Sequence, residues 1–383
     1  MRLGNFDTGG FLREIWQQKP LLIRDSWNRW SNPLEPDELA GLACEAGIES
    51  RLVIGTPNQW ALEHGPFSAA RFAEMGTHPW TLLVQSVDHH VPAVAALLEP
   101  FRFVPNWRVD DVMVSYAVDG GGVGAHFDNY DVFLVQGLGE RRWQIGRSCD
   151  HATPLLPHDE LRLLADFEPT EEWVLGSGDI LYVPPGVAHN GIAVGDDCMT
   201  YSIGFRAPSR GELIGRWAEH VADGLDEDDR YTDPGLAAQE NPGEISPHAL
   251  ARLRELIAER VLDPEAFARW FGRHSTAPKN PEIDWRPEQP VDPNELRSRA
   301  AEGVTLLHNP ASRFSFIRNE GGALELFVDG RSYACSGPAA TFAEQLCAND
   351  HLRVEGEVAA SEACLDLVLD LLREGSLAFE PTG

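Results

Sequence analysis

Within the stretch GGGVGAHFDNYDVFLVQG, His126 and Asp128 stand two residues apart. On a strand such residues project from one face, so an imidazole and a carboxylate can reach the same ion. A second imidazole, His189, follows the strand-and-turn sequence DILYVPPGVAH. Two imidazoles and one carboxylate on one face of an octahedral ion leave three positions open. That is the arrangement non-haem iron(II) oxygenases use, and the open positions take a bidentate 2-oxo acid and dioxygen. HxD alone is weak evidence, because an ordinary hydrogen-bonded pair has the same spacing. HxD ahead of a β-rich run that closes on PPGxxH is far more specific. The other histidines, the adjacent His89 and His90 included, show no comparable pattern.

A 2-oxo diacid also needs a cation for its distant carboxylate. In RRWQIG, Arg141, Trp143 and Ile145 share one strand face, while Arg142 and Gln144 share the other. The apolar pair should turn inward and take Arg141 with it. A buried charge needs a partner, and a guanidinium suits a carboxylate in bidentate fashion; a protein acid is the alternative partner. Two further same-face series border the metal. Tyr130 alternates with His126 and Asp128, so it should face the cavity. In DDVMVSYAV, Asp111, Met113 and Ser115 share one face and Val112 and Val114 the other. An inward Ser115 would reach the cofactor and an inward Asp111 a cationic side chain. If the valines face the core instead, Asp111 lies in water; periodicity leaves both open. The glycines at 120–122 and 124 are not a phosphate loop, since no Lys-Ser/Thr follows and a strand comes next; they read as a flexible turn beside the site.

The elements that must hold these residues are short β-branched and aromatic runs: RLVIG, TLLVQSV, DDVMVSYAV, YDVFLVQG, RRWQIG, DILYVPPG and MTYSIGF. With no regular helix between them, residues 1–208 read as a barrel or sandwich. After Pro208 the pattern becomes helical. GELIGRWAEHVADGL forms one helix, and Ser246-Pro247 and Asp263-Pro264 are N-caps with proline in the first turn of two more. This block, 209–275, carries apolar stripes that suit packing within the chain or a homodimer. Residues 276–291, rich in proline and charge, read as a linker. Residues 292–383 run helix, three strand-like segments and two helices, an order like a winged helix.

Charge and composition narrow the partners. The chain has 383 residues and a formal net charge of −29, which opposes sequence-independent nucleic-acid binding and favours a basic partner or plain solubility. Residues 292–383 hold seven Arg, no Lys and fifteen Asp plus Glu, a balance of 7 − 15 = −8. A cupin-type sensor fused to a winged-helix DNA regulator would need a basic recognition helix, which this segment lacks. Six scattered cysteines, none in a CxxC pair, suit free thiols in a reducing compartment. With no apolar run of about 18 residues and no secretory signal, the expected location is the cytoplasm, without membrane contact.

Together these blocks resemble the bacterial ribosomal oxygenases, a branch of the JmjC (cupin-fold) 2-oxoglutarate oxygenases. The likeness runs nearly end to end, through FLREIWQQKPLLIRD, DELAGLA, SRLV, HGPF, WTLLVQSVDH, GGGVGAHFDNYDVFLVQG, GDILYVPPGVAH and YSIGFRAP. It implies a mainly β plus α protein with a double-stranded β-helix core, a helical dimerisation region and a C-terminal winged-helix-like domain. It implies Fe(II) on His126, Asp128 and His189, 2-oxoglutarate on Arg141 and Ser115, and dioxygen as the second co-substrate. It further implies a substrate arginine against Asp111, Met113 and Tyr130, in a basic protein of the large ribosomal subunit, with succinate and carbon dioxide released. Related family members act on ribosomal histidines, so histidine hydroxylation is the alternative. A metal-binding scaffold without turnover is the remaining one.

Overall fold

The β-branched runs become strands, but the expected YDVFLVQG and RRWQIG strands join into one long strand, and MTYSIGF is the end of a second. In the computed structural model, which describes residues 3–381 apart from Asn5, Asn28, Pro57, Asn58 and Thr77, the chain divides into two compact units, Met1–Ala207 and Pro208–Gly383. In the first unit the order is α1 (Thr8–Glu14), β1 (Leu21–Ile23), α2 (Pro36–Leu42), β2 (Ser50–Thr56), β3 (Gln59–His64), α3 (Ala69–Ala73), β4 (Trp80–Val84), α4 (Pro92–Ala95) and β5 (Val109–Ala117). Then follow β6 (Asp131–Ser148), β7 (Glu171–Leu175), β8 (Ile180–Val183) and β9 (Val187–Phe205). Hydrogen bonding links them in the order β1-β8-β6-β9-β5-β4-β2-β3, with β7 also on β6.

The 18-residue β6 and the 19-residue β9 are shared by two layers. The first half of β6 pairs with β8 and the second half with β7, while β9 follows it throughout. Straight, β6 would hold Val132 and Ile145 about 43 Å apart. Both instead belong to one buried cluster with Leu134, Trp143, Leu175, Leu181, Val183 and Val187, so the strand folds its halves over one another. The corner lies where the β6–β9 register shifts, between Gln136 and Glu140. Gly139 there has φ +61, and on β9 Gly195 and Asp197 have φ +75 and +56, backbone that glycine adopts freely and aspartate tolerates. Bulged strands that pass from one layer to another make such corners. This is the expected double-stranded β-helix.

The corner also changes parity. Before it, Val132 and Leu134 face the cavity cluster; after it, Arg141, Trp143 and Ile145 share that side, seven residues on from Leu134. An extra residue turns every later side chain to the opposite face. The outer face of the larger layer, with Phe133, Val135, Tyr182, Tyr201, Ile203 and Phe205, packs on the N-terminal helices in a second cluster.

The second unit runs α5 (Arg210–Asp223), α6 (Pro247–Val261), α7 (Pro264–Thr276), α8 (Pro293–Glu302), β10 (Val304–His308), β11 (Phe314–Arg318), β12 (Leu324–Val328) and β13 (Arg331–Cys335). It ends with α9 (Pro338–Ala348), β14 (His351–Val354), α10 (Gly356–Ala360), α11 (Glu362–Arg373) and β15 (Leu377–Phe379). Ser246 and Asp263 cap α6 and α7, each followed by proline, as read from the sequence, and Asp292 followed by Pro293 does the same for α8. Two three-stranded sheets form, β14-β10-β15 and β11-β12-β13. Helix α7 lies directly on the second: a Cβ on Gly272 would stand 2.4 Å from the Phe327 ring, and Arg269 pairs with Glu325 at 3.0 Å. No helix of the described residues is long and apolar enough to cross a membrane.

Candidate metal centre

His126 and His189 face each other across a single antiparallel bridge. The His126 N–H donates to the His189 carbonyl at 3.0 Å, and the His189 N–H to the His126 carbonyl at 2.8 Å. His189 thus sits within β9 rather than in the turn before it. The segment carrying His126 and Asp128 is not a regular strand; the bridge and the turn after β8, whose Gly186 N–H donates to the Asp128 carbonyl at 2.7 Å, hold it in place. The two-residue spacing still brings the groups together. Asp128 Oδ2 lies 3.6 Å from both His126 Nε2 and His189 Nε2, and the three ligand atoms fall within 4.8 Å of one another.

Each imidazole is oriented through its other nitrogen. His126 Nδ1 bonds the Gly124 carbonyl at 2.9 Å and His189 Nδ1 the Val187 carbonyl at 3.0 Å. A carbonyl demands a donor, so Nδ1 carries the proton and the Nε2 lone pair is left for an ion. Burial, and then the charge of His126, pull His189 down to about 4, which keeps it neutral and able to ligate. Nor is the glycine run beside the site the expected flexible turn. A Cβ on Gly121 would stand 2.4 Å from the Trp80 carbonyl, and one on Gly122 2.5 Å from the Gly191 carbonyl. Only glycine permits that close approach of backbones.

Depth in the cavity follows distance from the corner. Arg141 lies beside it, opposite Ala193, and Ile145 lies opposite His189. Four residues of strand separate the two levels, about 13 Å. Arg141 is 3% exposed, and its Nε and Nη2 find no hydrogen-bond partner among the described residues; its guanidinium carbon lies 5.9 Å from the Trp143 ring centroid. Arg142 is exposed, as strand parity required. Thr81, on the same wall of the larger layer opposite Ala117, also has a buried hydroxyl without a partner. This end therefore offers a cation and a hydroxyl with no hydrogen-bond partner among the described residues, beside the small buried cluster of Ala117, Ala193 and Cys198.

On β5 both faces prove buried. Val112 and Val114 do enter the outer core, yet Asp111 and Ser115 are only 5% and 4% exposed. Ser115 Oγ reaches the Thr200 carbonyl at 3.4 Å. Cross-strand pairing sets Met113 opposite Ser202, level with Leu134, and Ser115 opposite Thr200, nearer the corner. Tyr130, in the bend before β6, is 43% exposed.

Sequence reasoning missed Asp131, three residues past Asp128. It is fully buried, accepts from the Tyr182 hydroxyl at 2.6 Å and Gln17 Nε2 at 2.8 Å, and pairs with Arg108 at 2.9 Å. Burial raises its carboxyl pKa against these donors. The signal was an acid in step with Phe133 and Val135 at the head of an apolar run. Two imidazoles and a carboxylate suit a divalent iron ion, and an orphaned, buried guanidinium on the neighbouring strand calls for a carboxylate.

Comparison with known proteins gives the same picture. Residues 96–213 match the family model described as JmjC domain, and residues 254–378 match the ROXA-like winged helix. The chain is 40% identical over 298 residues to the ribosomal protein uL16 3-hydroxylase of Escherichia coli, covering 78% of this chain and 79% of that one. It is 34% identical to a probable ribosomal oxygenase of Haemophilus influenzae over 84% of this chain and 80% of the other. Among solved structures, Escherichia coli YcfD superposes with a TM-score of 0.89 at 34% identity, over 99% of this chain and 100% of that one. The complex of that ribosomal oxygenase with cobalt and 2-oxoglutarate gives 0.87 at 34% identity over 99% of each chain.

Proposed function

Since the chain belongs to the JmjC-domain ribosomal oxygenases, we propose that it is an Fe(II)- and 2-oxoglutarate-dependent hydroxylase of an arginine side chain in a basic large-subunit ribosomal protein. The observation that carries the reading is the orphaned, buried Arg141 beneath the His126–Asp128–His189 cluster. Iron with 2-oxoglutarate and dioxygen supplies the oxidant that inserts one oxygen atom into a C–H bond, with succinate and carbon dioxide as co-products.

His126, Asp128 and His189 would hold the iron, the two imidazoles oriented by the Gly124 and Val187 carbonyls and the Asp128 backbone by the Gly186 N–H. Arg141 would bind the far carboxylate of 2-oxoglutarate and Ser115 would support it. Asp111 would pair with the substrate guanidinium, Met113 would pack on its methylenes and Tyr130 would form a wall at the mouth. Preorganised donors in a site shielded from water cost no rearrangement at the moment of reaction. The relatives named for ribosomal proteins, one of them a large-subunit protein, and the −29 charge favour a basic ribosomal partner over nucleic acid. Steering between opposite charges makes association slow as salt rises.

Four structural assignments belong to the same proposal: residues 1–208 catalytic, 209–275 dimerising, 276–291 linking and 292–383 winged-helix-like. Ile214, Leu250, Leu253, Ile257 and Leu262 are exposed on or at the ends of α5 and α6, a surface suited to a second copy. Light scattering at micromolar concentration should report a dimer, and a monomeric active protein would remove that assignment. The deciding experiment for function uses peptides that differ only in Arg, Lys or His at the target position. Hydroxylation of the arginine peptide, with lysine poor because it lacks the planar fork, is expected. A reactive histidine peptide with an inert arginine peptide overturns the arginine assignment and leaves the oxygenase standing.

A further inference from the structure

The buried acid Asp131 gathers donors from three separate segments. Its Oδ1 accepts from the Tyr182 hydroxyl of β8 at 2.6 Å. Its Oδ2 accepts from Gln17 Nε2, past the end of α1, at 2.8 Å and from Arg108 Nη2, just before β5, at 2.9 Å. The donors are themselves tied. The Gln17 N–H donates to the Tyr182 hydroxyl at 2.8 Å, from a left-handed backbone with φ +57. Arg108 Nε donates to the Arg206 carbonyl at the end of β9, and its guanidinium carbon lies 5.5 Å from the Trp16 ring centroid. Phe205 pairs with Asp131 on one side and with Val109 on the other, so β6, β9 and β5 are in register where the carboxylate sits.

Each arm leads towards the metal centre. Asp131 is the first residue of β6, and only Asn129 and Tyr130 separate it from Asp128. Tyr182 belongs to β8, the strand before the turn in which the Gly186 N–H holds the Asp128 carbonyl at 2.7 Å. Arg108 leads into β5, the strand of Met113 and Ser115. Asp128 itself is 47% exposed at its side chain and lies outside any regular strand. Where its carboxylate stands therefore depends on what fixes the chain on either side. Upstream that is the bridge between His126 and His189; downstream it is Asp131. An apolar residue would serve for packing alone, and burying an ion pair is a costly way to gain stability. Charge-assisted hydrogen bonds, however, fix direction as well as distance.

We infer that Asp131 is a positioning residue for the reaction: its three hydrogen bonds set where Asp128 stands relative to β5, and so how the metal is placed against the substrate. The inference rests on Asp128 being a metal ligand and on the hydroxylation proposed above. A small misplacement of the reacting groups costs rate even when every group is present, so co-substrate would be consumed without matching hydroxylation.

Tyr182→Phe tests this in the full-length enzyme. The ring stays and only the hydroxyl is lost, which leaves Asp131 with two donors. Hydroxylated peptide formed per succinate released should fall roughly three- to tenfold, and the visible absorption bands of the cobalt-loaded protein should shift as Asp128 moves. Gln17→Gly keeps the N–H and suits the left-handed backbone; it should change both readouts in the same direction by less, and it decides alone if Tyr182→Phe does not fold. Ser312→Ala, which takes a hydroxyl from the acid Asp329 of the second unit, is the control. Loss of stability alone lowers both products together and leaves the ratio and the bands as they were. A wild-type ratio in the variants, or cobalt bands that do not shift, overturns the inference. A wild-type enzyme that hydroxylates no arginine peptide removes the proposed substrate instead, and the cobalt bands still decide the role of Asp131.

Discussion

Two buried charges, one in each unit, are treated in opposite ways. Asp329, in the turn after β12, is held by Ser312 Oγ and Ser376 Oγ at 2.7 Å each and by the Arg313 N–H at 3.0 Å. Arg141, more deeply buried than the half-buried Asp329, has two nitrogens with no protein acceptor among the described residues. A buried charge with a full set of partners ties segments of a fold together; one without is costly to the empty protein and calls for a ligand. The same contrast separates Asp131, satisfied on three sides, from Asp128, which faces two imidazoles.

The comparison breaks first at the metal. Asp128→Ala or His126→Ala should lower succinate release and iron content at least a hundredfold while thermal unfolding of the metal-free protein barely moves. Full activity in either variant would remove the triad. Arg141→Ala should weaken 2-oxoglutarate binding by about ten- to a hundredfold, the worth of a charge-assisted bidentate contact, whereas exposed Arg142→Ala should leave it alone. Titration of the manganese-loaded protein measures both, and equal losses would mean the strand face is wrongly assigned. Arg141→Met should moreover stabilise the ligand-free protein by about 1–3 kcal/mol, since an apolar side chain replaces an uncompensated charge; urea unfolding without cofactor tests the sign.

Asp329 sharpens the contrast from the other side. Asp329→Ala strands three donors and should destabilise the protein by about 1–3 kcal/mol, with little effect on turnover. Its pH dependence has a definite sign. Burial raises its folded pKa above the ordinary value, so the folded form holds the proton more tightly. The stability it contributes is present at low pH and is lost as pH rises through the raised value. Subtracting the unfolding curve of Asp329→Asn from that of wild type across pH 3–8 isolates the slope, and a slope of opposite sign would contradict the assignment.

How much of this was legible depended on whether the information was local. Parity within RRWQIG was enough to turn Arg141 inward, because Trp143 and Ile145 fix the face over five residues. The Ser-Pro and Asp-Pro caps were equally local. The HxD spacing served although its segment is no regular strand, since one bridge to His189 does what a ladder was expected to do. What periodicity did not reveal was where faces switch. YDVFLVQG and RRWQIG read as separate strands, yet the ladder continues through the glycines between them and the face changes there. The alternatives for β5 were both partly right, because the strand is buried on two sides and apolar periodicity detects only one.

The shared corner of β6 and β9 has one more consequence. Since depth below the metal is counted in residues from that fold, the cavity behaves as a calliper with jaws set by strand pitch. His189 and Ile145 mark one jaw and Arg141 the other, with a graduation of about 6.6 Å for every two residues. The level at which Arg141 sits is therefore written in the number of residues between the corner and the metal, and shifting it requires moving the corner rather than repainting the walls.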